Sequence, residues 1–237
     1  MPIGRVNNMK KIFVKHHLGL GDCIVHNGMV RNIIKNDNNC EVYVATKHHN
    51  YENIKFMYRD EERIKILLLD DVGTNIHLEN TSYDKVVYSH FDKGTNFTYN
   101  VYGDDAFYLH AGFNPEIRIK EFHVKRDYQK ELNLYHKLIK EIGSENYIFI
   151  HEKPEQNIII DRSKIKTNLP IIYASQEYNF FDLLTTIERA NEVHVISSCF
   201  LSYFMINKIN KKIFAHMYAD RGDLTEIVSK SGIDVIL

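Results

Sequence analysis

The stretch Lys11-Ile-Phe-Val-Lys15-His16-His17-Leu-Gly19-Leu-Gly21-Asp22-Cys23, continued by Ile24 to Lys35, restricts the folds open to this chain more than any other. Ile12-Phe13-Val14 is a short apolar run of the kind a buried strand needs, and Gly19 and Gly21 mark a tight turn. Ile24, Val25, Met29, Val30, Ile33 and Ile34 then recur at helical spacing. In open α/β sheets ligands collect where strands end and helices begin, because the first backbone N–H groups of a helix hold anions and the loop is exposed. Asp22 falls on that corner. Two readings of it are open: a carboxylate capping the first turn, or a general base that a rigid turn holds within reach of a substrate proton.

The glycines do not fit the better known loops. A dinucleotide fingerprint requires a third glycine where Ile24 stands, and the second apolar run ends Ala45-Thr46-Lys47 without the acid that would hold a ribose. A G-x-x-x-x-G-K-[ST] loop is also missing, which argues against an NTPase.

The same alternation continues along the chain. Glu41–Ala45, Ile64–Leu69 and Lys85–Tyr88 read as strands, with a short helix over Tyr51–Tyr58. After Tyr88 comes Ser89-His90-Phe91-Asp92, which places His90 and Asp92 at a strand's carboxyl end, as site residues or as loop residues making local hydrogen bonds. Gly94 to Tyr108 is polar and aromatic without clear period. Arg126 to Ile142 is an amphipathic helix, with Tyr128, Leu132, Tyr135, Leu138 and Ile142 on one face and Gly143 as its stop.

Pro115 to Lys125 alternates apolar and polar residues, so a crossover near residue 120 is expected, dividing the chain into halves 1–120 and 121–237. The second half restarts with strand Tyr147–Ile150, then strand Ile171–Tyr173, a helix over Phe180–Ala190 and strand Val193–Ile196. Helices over Cys199–Lys208 and Asp223–Lys230 accompany the last strands, Ile213–Ala215 and Asp234–Ile236. Strands separated by helices favour parallel sheets with crossover connections, so both halves are expected to be Rossmann-like.

Composition narrows the partners. A formal net charge of −1 gives no general attraction to nucleic acid, although 13 histidines add positive charge in acid. Cys23, Cys40 and Cys199 form no C-x-x-C pair and leave an odd count, which suits free thiols in a reducing compartment. No stretch nears the ~18 apolar residues of a membrane span, and residues 1–8 read as a loose leader without a cleavage-like site. A cytoplasmic protein without an integral membrane span is the expectation.

A second corner lies where Val193-His194-Val195-Ile196 ends in Ser197-Ser198-Cys199-Phe200. Small hydroxyl residues at such a turn can simply cap the following helix, or leave its N–H groups open to a phosphate. His151-Glu152-Lys153 and Asp161-Arg162 supply cations near the half's first strand, either as solvated surface charge or to stabilise a leaving diphosphate. A metal is not expected. Asp70-Asp71 and Asp104-Asp105 lack Asp-x-Asp spacing, and the adjacent pairs His16-His17 and His48-His49 would point apart on a strand.

The turn from Lys15 to Asp22, with its helix, resembles the start of family 9 glycosyltransferases, the bacterial heptosyltransferases, whose first strand leads into a short loop ending Gly-Asp. The resemblance implies a general base at Asp22; Gly19, Gly21 and His90 are expected beside it as acceptor or loop residues. Phe181 through Ser198 is similar to that family's donor-binding half. There Ser198 is retained, while Ser197 replaces an acid, Cys199 replaces glycine, and Phe200-Leu201-Ser202-Tyr203 stands for Pro-Met-His-Leu. This turn looks closer to the serine turns of fucosyltransferase-like enzymes.

The implied fold is two Rossmann-like halves facing a cleft, a compact glycosyltransferase B arrangement. The implied activity is metal-independent transfer of a sugar from a nucleotide-activated donor, which is substrate rather than cofactor, to a glycan, lipid-linked or other hydroxyl acceptor. His151, Lys153, Arg162, Ser197, Ser198, Cys199 and Phe200 would hold the donor. The rival expectation is a non-catalytic nucleotide- or glycan-binding protein of the same fold.

Overall fold

The computed structural model describes residues 9–90, 103–219 and 225–237. The expected leader over residues 1–8, Asp92 and most of the 94–108 stretch lie outside the described residues. The chain divides into two compact units, Met1–Lys125 and Arg126–Leu237.

In the first unit, strands β1 (Lys10–His16), β2 (Cys40–Thr46), β3 (Ile64–Leu68) and β4 (Lys85–Ser89) form one sheet in the order β3-β2-β1-β4. All pairs are parallel, with Phe13 opposite Tyr43 on one side and Val86 on the other. Helix α1 (Leu20–Asn36) buries Cys23, Ile24, Val25, Met29, Val30, Ile33 and Ile34. It begins four residues earlier than the apolar spacing at Ile24 indicates, so Gly21 lies inside the helix and only Gly19 belongs to the turn. Helix α2 (Tyr51–Tyr58) buries Ile54 and Met57.

Three helices were not expected: α3 (Asp71–Asn80), α4 (Asp104–His110) and α5 (Ile117–Lys120). In α3 only Thr74 is buried while Val72 and Ile76 face outward, so no apolar stripe marks it, and what starts it is Asp70, whose side chain accepts from Gly73 N–H. The alternating stretch 115–125 contains the one-turn α5; α5 packs on α1 at Gly28, where a Cβ would lie 2.5 Å from the Ile117 carbonyl oxygen.

The second unit opens with α6 (Tyr128–Ile142), whose N-cap Asp127 accepts from Lys130 N–H and whose stop, Gly143, takes the left-handed conformation at φ 68°. Tyr128 is exposed rather than on the buried face, with Arg126 over its ring. Strands β5 (Ile148–His151), β6 (Ile171–Tyr173), β7 (Glu192–Val195), β8 (Lys212–His216) and β9 (Asp234–Ile236) form a parallel sheet in the order β6-β5-β7-β8-β9. The expected 180–190 helix is a 3-10 turn, Phe180–Leu183, running into α7 (Leu184–Arg189). Helices α8 (Cys199–Ile206) and α9 (Thr225–Lys230) follow β7 and β8.

Between β5 and β6 no α-helix forms. Ile158, Ile160, Ile165 and Leu169 instead lie along one sheet face, against Ile148, Ile150 and Ile196. The opposite face carries Phe149, packed on Phe200 of α8. No described helix is long and apolar enough to cross a membrane.

Candidate functional site

Each sheet reverses its strand order once, and a crevice at the carboxyl ends of the strands flanking such a reversal is where α/β proteins bind ligands. In the first sheet the reversal falls between β1 and β4. There β1 ends at His16, α1 begins after Gly19, and β4 leads into His90. Asp22 is the third residue of α1; Gly19, not Asp22, is the N-cap. The Asp22 carboxylate folds back over Gly19 so closely that a Cβ there would lie 2.6 Å from Oδ2, which gives this glycine a steric reason. Burial pushes the Asp22 carboxyl up to about 6, helped by Asp104, while His17 and the backbone N–H groups of Asp22 and Gly19 pull it down. A carboxyl with that value is mostly ionised at neutral pH yet more basic than an ordinary carboxylate, which suits a general base.

Sequence reasoning missed the residue that fixes this corner. His26, one turn after Asp22 and fully buried, has Nδ1 2.6 Å from the Asp22 carbonyl oxygen and Nε2 2.7 Å from Ser89 Oγ. Carbonyl oxygen only accepts, so Nδ1 carries the hydrogen of its contact, while the Ser89 hydroxyl beside Nε2 donates to the Phe107 carbonyl oxygen at 2.9 Å. The ring thereby ties the start of α1 to the end of β4. It stacks on His16 at 4.9 Å, and burial lowers His26 to about 3 and His16 to about 4, keeping both neutral. A histidine inside the apolar stripe of α1 was the available signal. His90 stands at this corner with its ring 6.0 Å from that of His17, and Gly21 supplies backbone in the first turn of α1.

Arg118 closes the back of the corner. Its guanidinium donates to Asp104 at 3.1 Å and Asp105 at 2.8 Å, holding α4 to α5.

In the second sheet the reversal lies between β5 and β7. His151 ends β5, and Ser197-Ser198 leads from β7 into α8. Ser198 is the N-cap by position, yet its side chain makes no capping bond, and Oγ is buried without a partner among the described residues. The simple cap reading of this serine therefore fails, and the first N–H groups of α8 are not closed off by it. His151 Nδ1 is likewise buried without a partner among the described residues. Burial, and then Lys153, lower His151 to about 3.

Burial raises the Cys199 thiol to about 12 against the pull of Lys153, so it stays protonated. Lys153 makes no ion pair among the described residues. Its backbone pairs with Ile158 in both directions, at 2.8 and 3.0 Å, closing a small loop that includes Pro154–Gln156. An uncapped helix start, a buried hydroxyl, a neutral imidazole nitrogen and an ammonium group make a suitable cradle for an anion.

Two expected donor residues do not present their side chains. Phe200 is buried, its ring 4.4 Å from His151 and 4.7 Å from Phe180, so only its backbone belongs to the helix start. The Arg162 guanidinium is held by Glu152 at 2.7 Å and by the Ile160 carbonyl at 2.7 Å. Ser197 is partly exposed at the turn.

No family model matches the chain, and no curated protein does. Among solved structures it is similar to the glycosyl transferase family 9 protein from Veillonella parvula DSM 2008, with 9% identity, a TM-score of 0.55, and coverage of 90% of this chain and 82% of that one. It also aligns with E. coli heptosyltransferase WaaC with ADP, at 10% identity and a TM-score of 0.42, covering 88% of this chain and 87% of that one. The Veillonella likeness shows a shared fold: two parallel Rossmann-like α/β units of the glycosyltransferase B type.

Proposed function

We propose that the chain is a glycosyltransferase that moves a sugar from a nucleotide-activated donor to a hydroxyl acceptor without a metal, with the acceptor on the first unit and the donor on the second. The observation that carries this reading is Asp22, a carboxyl pushed to about 6 at a strand-order reversal, in a fold shared with a glycosyl transferase. In the proposed reaction Asp22 takes the proton of the acceptor hydroxyl as its oxygen bonds to the donor's anomeric carbon. The bond from that carbon to the diphosphate breaks, and the departing charge is met by Lys153, Ser198 Oγ and the open N–H groups of α8.

The test is a thermal-shift series with nucleoside diphosphates and nucleotide sugars in the presence of chelator. A ligand at 100 times its dissociation constant adds about 2.7 kcal/mol of stability. Stabilisation that survives chelator is expected; stabilisation only with a divalent ion would overturn the metal-free part, and none with any nucleotide would overturn the donor. A second reading, binding without transfer, is favoured by the engagement of Arg162 with Glu152, which leaves Lys153 as the cation for the diphosphate. It predicts nucleotide binding with no transfer to any acceptor.

A further inference from the structure

Four side chains of the second unit, none used in the proposed reaction, form a line through the sheet. His194 Nε2 is 3.3 Å from Glu192 Oε2, His194 Nδ1 is 2.9 Å from His216 Nε2, and His216 Nδ1 is 3.2 Å from the Tyr218 hydroxyl. That hydroxyl accepts the Asp161 N–H at 2.6 Å. Both imidazoles are buried, at 2% and 0% exposure, whereas Tyr218 is 39% exposed and the Glu192 carboxylate lines an open groove with Lys211 and Lys212. Glu192 lies at the amino end of β7 and Tyr218 just beyond the carboxyl end of β8, so the line runs roughly 13 Å along the strands.

The hydrogens on this line have one consistent arrangement. A carboxylate only accepts, so His194 carries its hydrogen on Nε2. Its Nδ1 must then accept, which puts the His216 hydrogen on Nε2 as well, and the free His216 Nδ1 accepts the Tyr218 O–H. Every hydrogen points toward Glu192. The charged groups around the rings are Glu192 and Arg162 beside His194, and Lys164, Arg162 and Asp161 beside His216. Burial disfavours an imidazolium at either ring and outweighs the pull of Glu192 on His194 and of Asp161 on His216, while Arg162 and Lys164 oppose it further.

We propose that Glu192, His194, His216 and Tyr218 form a directed proton relay from the carboxyl edge of the second sheet to its amino edge. A proton arriving on the Tyr218 oxygen from water or a bound hydroxyl releases the tyrosine's own proton to His216 Nδ1. The His216 Nε2 proton passes to His194 Nδ1, and the His194 Nε2 proton passes to Glu192. One proton enters, one is delivered, and neither ring is left charged. The entry point is one strand away from the Ser197–Cys199 turn, and the relay does not depend on the reaction proposed above.

Nitrogen-15 histidine labelling of the full chain tests this near neutral pH. Both rings should carry hydrogen on Nε2, with a scalar coupling across the His194–His216 hydrogen bond. The shared hydrogen should exchange with solvent faster than the amides of β7 and β8. In Tyr218→Phe and in Glu192→Gln, each of which removes one end, its exchange should slow roughly 100-fold, the low end of what a positioned proton-transfer group contributes, while amide protection stays unchanged. A hydrogen on Nδ1 of either ring, no slowing in one or both variants, or slowing that follows the amides would overturn the relay.

Discussion

Asp22 and Ser198 occupy corresponding corners of the two sheets and use their oxygens in opposite ways. The Asp22 carboxylate folds back onto the start of its helix, whereas Ser198 Oγ makes no capping bond. Asp22→Asn retains an oxygen for the backbone and should change stability little, while loss of a general base lowers turnover by roughly 100- to 10,000-fold with donor affinity intact. In the parent, turnover should fall as pH drops below about 6, where Asp22 takes up its proton. Transfer rate and nucleotide affinity measured on both proteins check this; an unchanged rate would reduce Asp22 to a structural group.

Ser198→Ala gives the converse outcome. An N-cap serine ordinarily contributes about 1 kcal/mol, but here the substitution removes a buried hydroxyl with no partner, so denaturant midpoints should hold or rise while nucleotide binding weakens. Asp22 and Ser198 were legible because a turn between an apolar run and a helical stripe shows in sequence. His26 and Glu152 were not, because their partners, Ser89 and Arg162, are 63 and 10 residues away.

Elements with an apolar face were legible, and those held by single polar bonds or close backbone approach were not. Helices α1 and α6 announce themselves; α3 depends on the Asp70 cap, and α5 on the absence of a side chain at Gly28. Gly28→Ala places a methyl against the α5 backbone and should destabilise by about 1–3 kcal/mol, as overpacking does. Another hidden joint ties α6 to α7. Glu131, fully buried, receives Arg126 and both the N–H and O–H of Thr185, at 3.1 and 2.8 Å. Glu131→Ala leaves the Thr185 N–H and O–H without their acceptor while Arg126 keeps Glu188, and should cost about 1–3 kcal/mol, whereas loss of the exposed Lys137–Glu141 pair should cost under about 1 kcal/mol. Denaturant unfolding of the two variants separates them.

For the whole molecule, histidine burial sets the response to acid. His16, His26, His151, His194 and His216 all have folded values below the ordinary 6.5, so the unfolded chain binds more protons. Their contribution is therefore present above about 6.5 and is lost as pH falls toward 4 and 3. Fully enclosed His16 and His26 each contribute up to about 1.4 kcal/mol per pH unit over that window. Asp22 and Asp104 act the other way, the raised value of Asp22 adding stability below 3.8 that is lost as pH rises through about 6, but they are two groups against five. The melting temperature should fall between pH 7 and pH 5, and a rise would show that the rings are charged in the folded state. The alternation of strands and helices made the two-unit fold legible. The acid response was not, because 13 histidines in a sequence do not reveal which ones are enclosed.

The connection from β5 to β6, which has no α-helix, also gives the chain an uneven tolerance of change in length. The segment from Ile158 to Leu169 adheres by isolated side chains rather than by a repeating ladder, so it has no register to lose. Residues added near exposed Lys166 or Asn168 lengthen a loop, and even doubling such a loop costs only about 0.6 kcal/mol. One residue added inside β5 would turn Ile148 and Ile150 onto the wrong face of the sheet. Natural variants of this protein that differ in length should therefore differ in that connection, a few residues along the chain from a strand that cannot change by one.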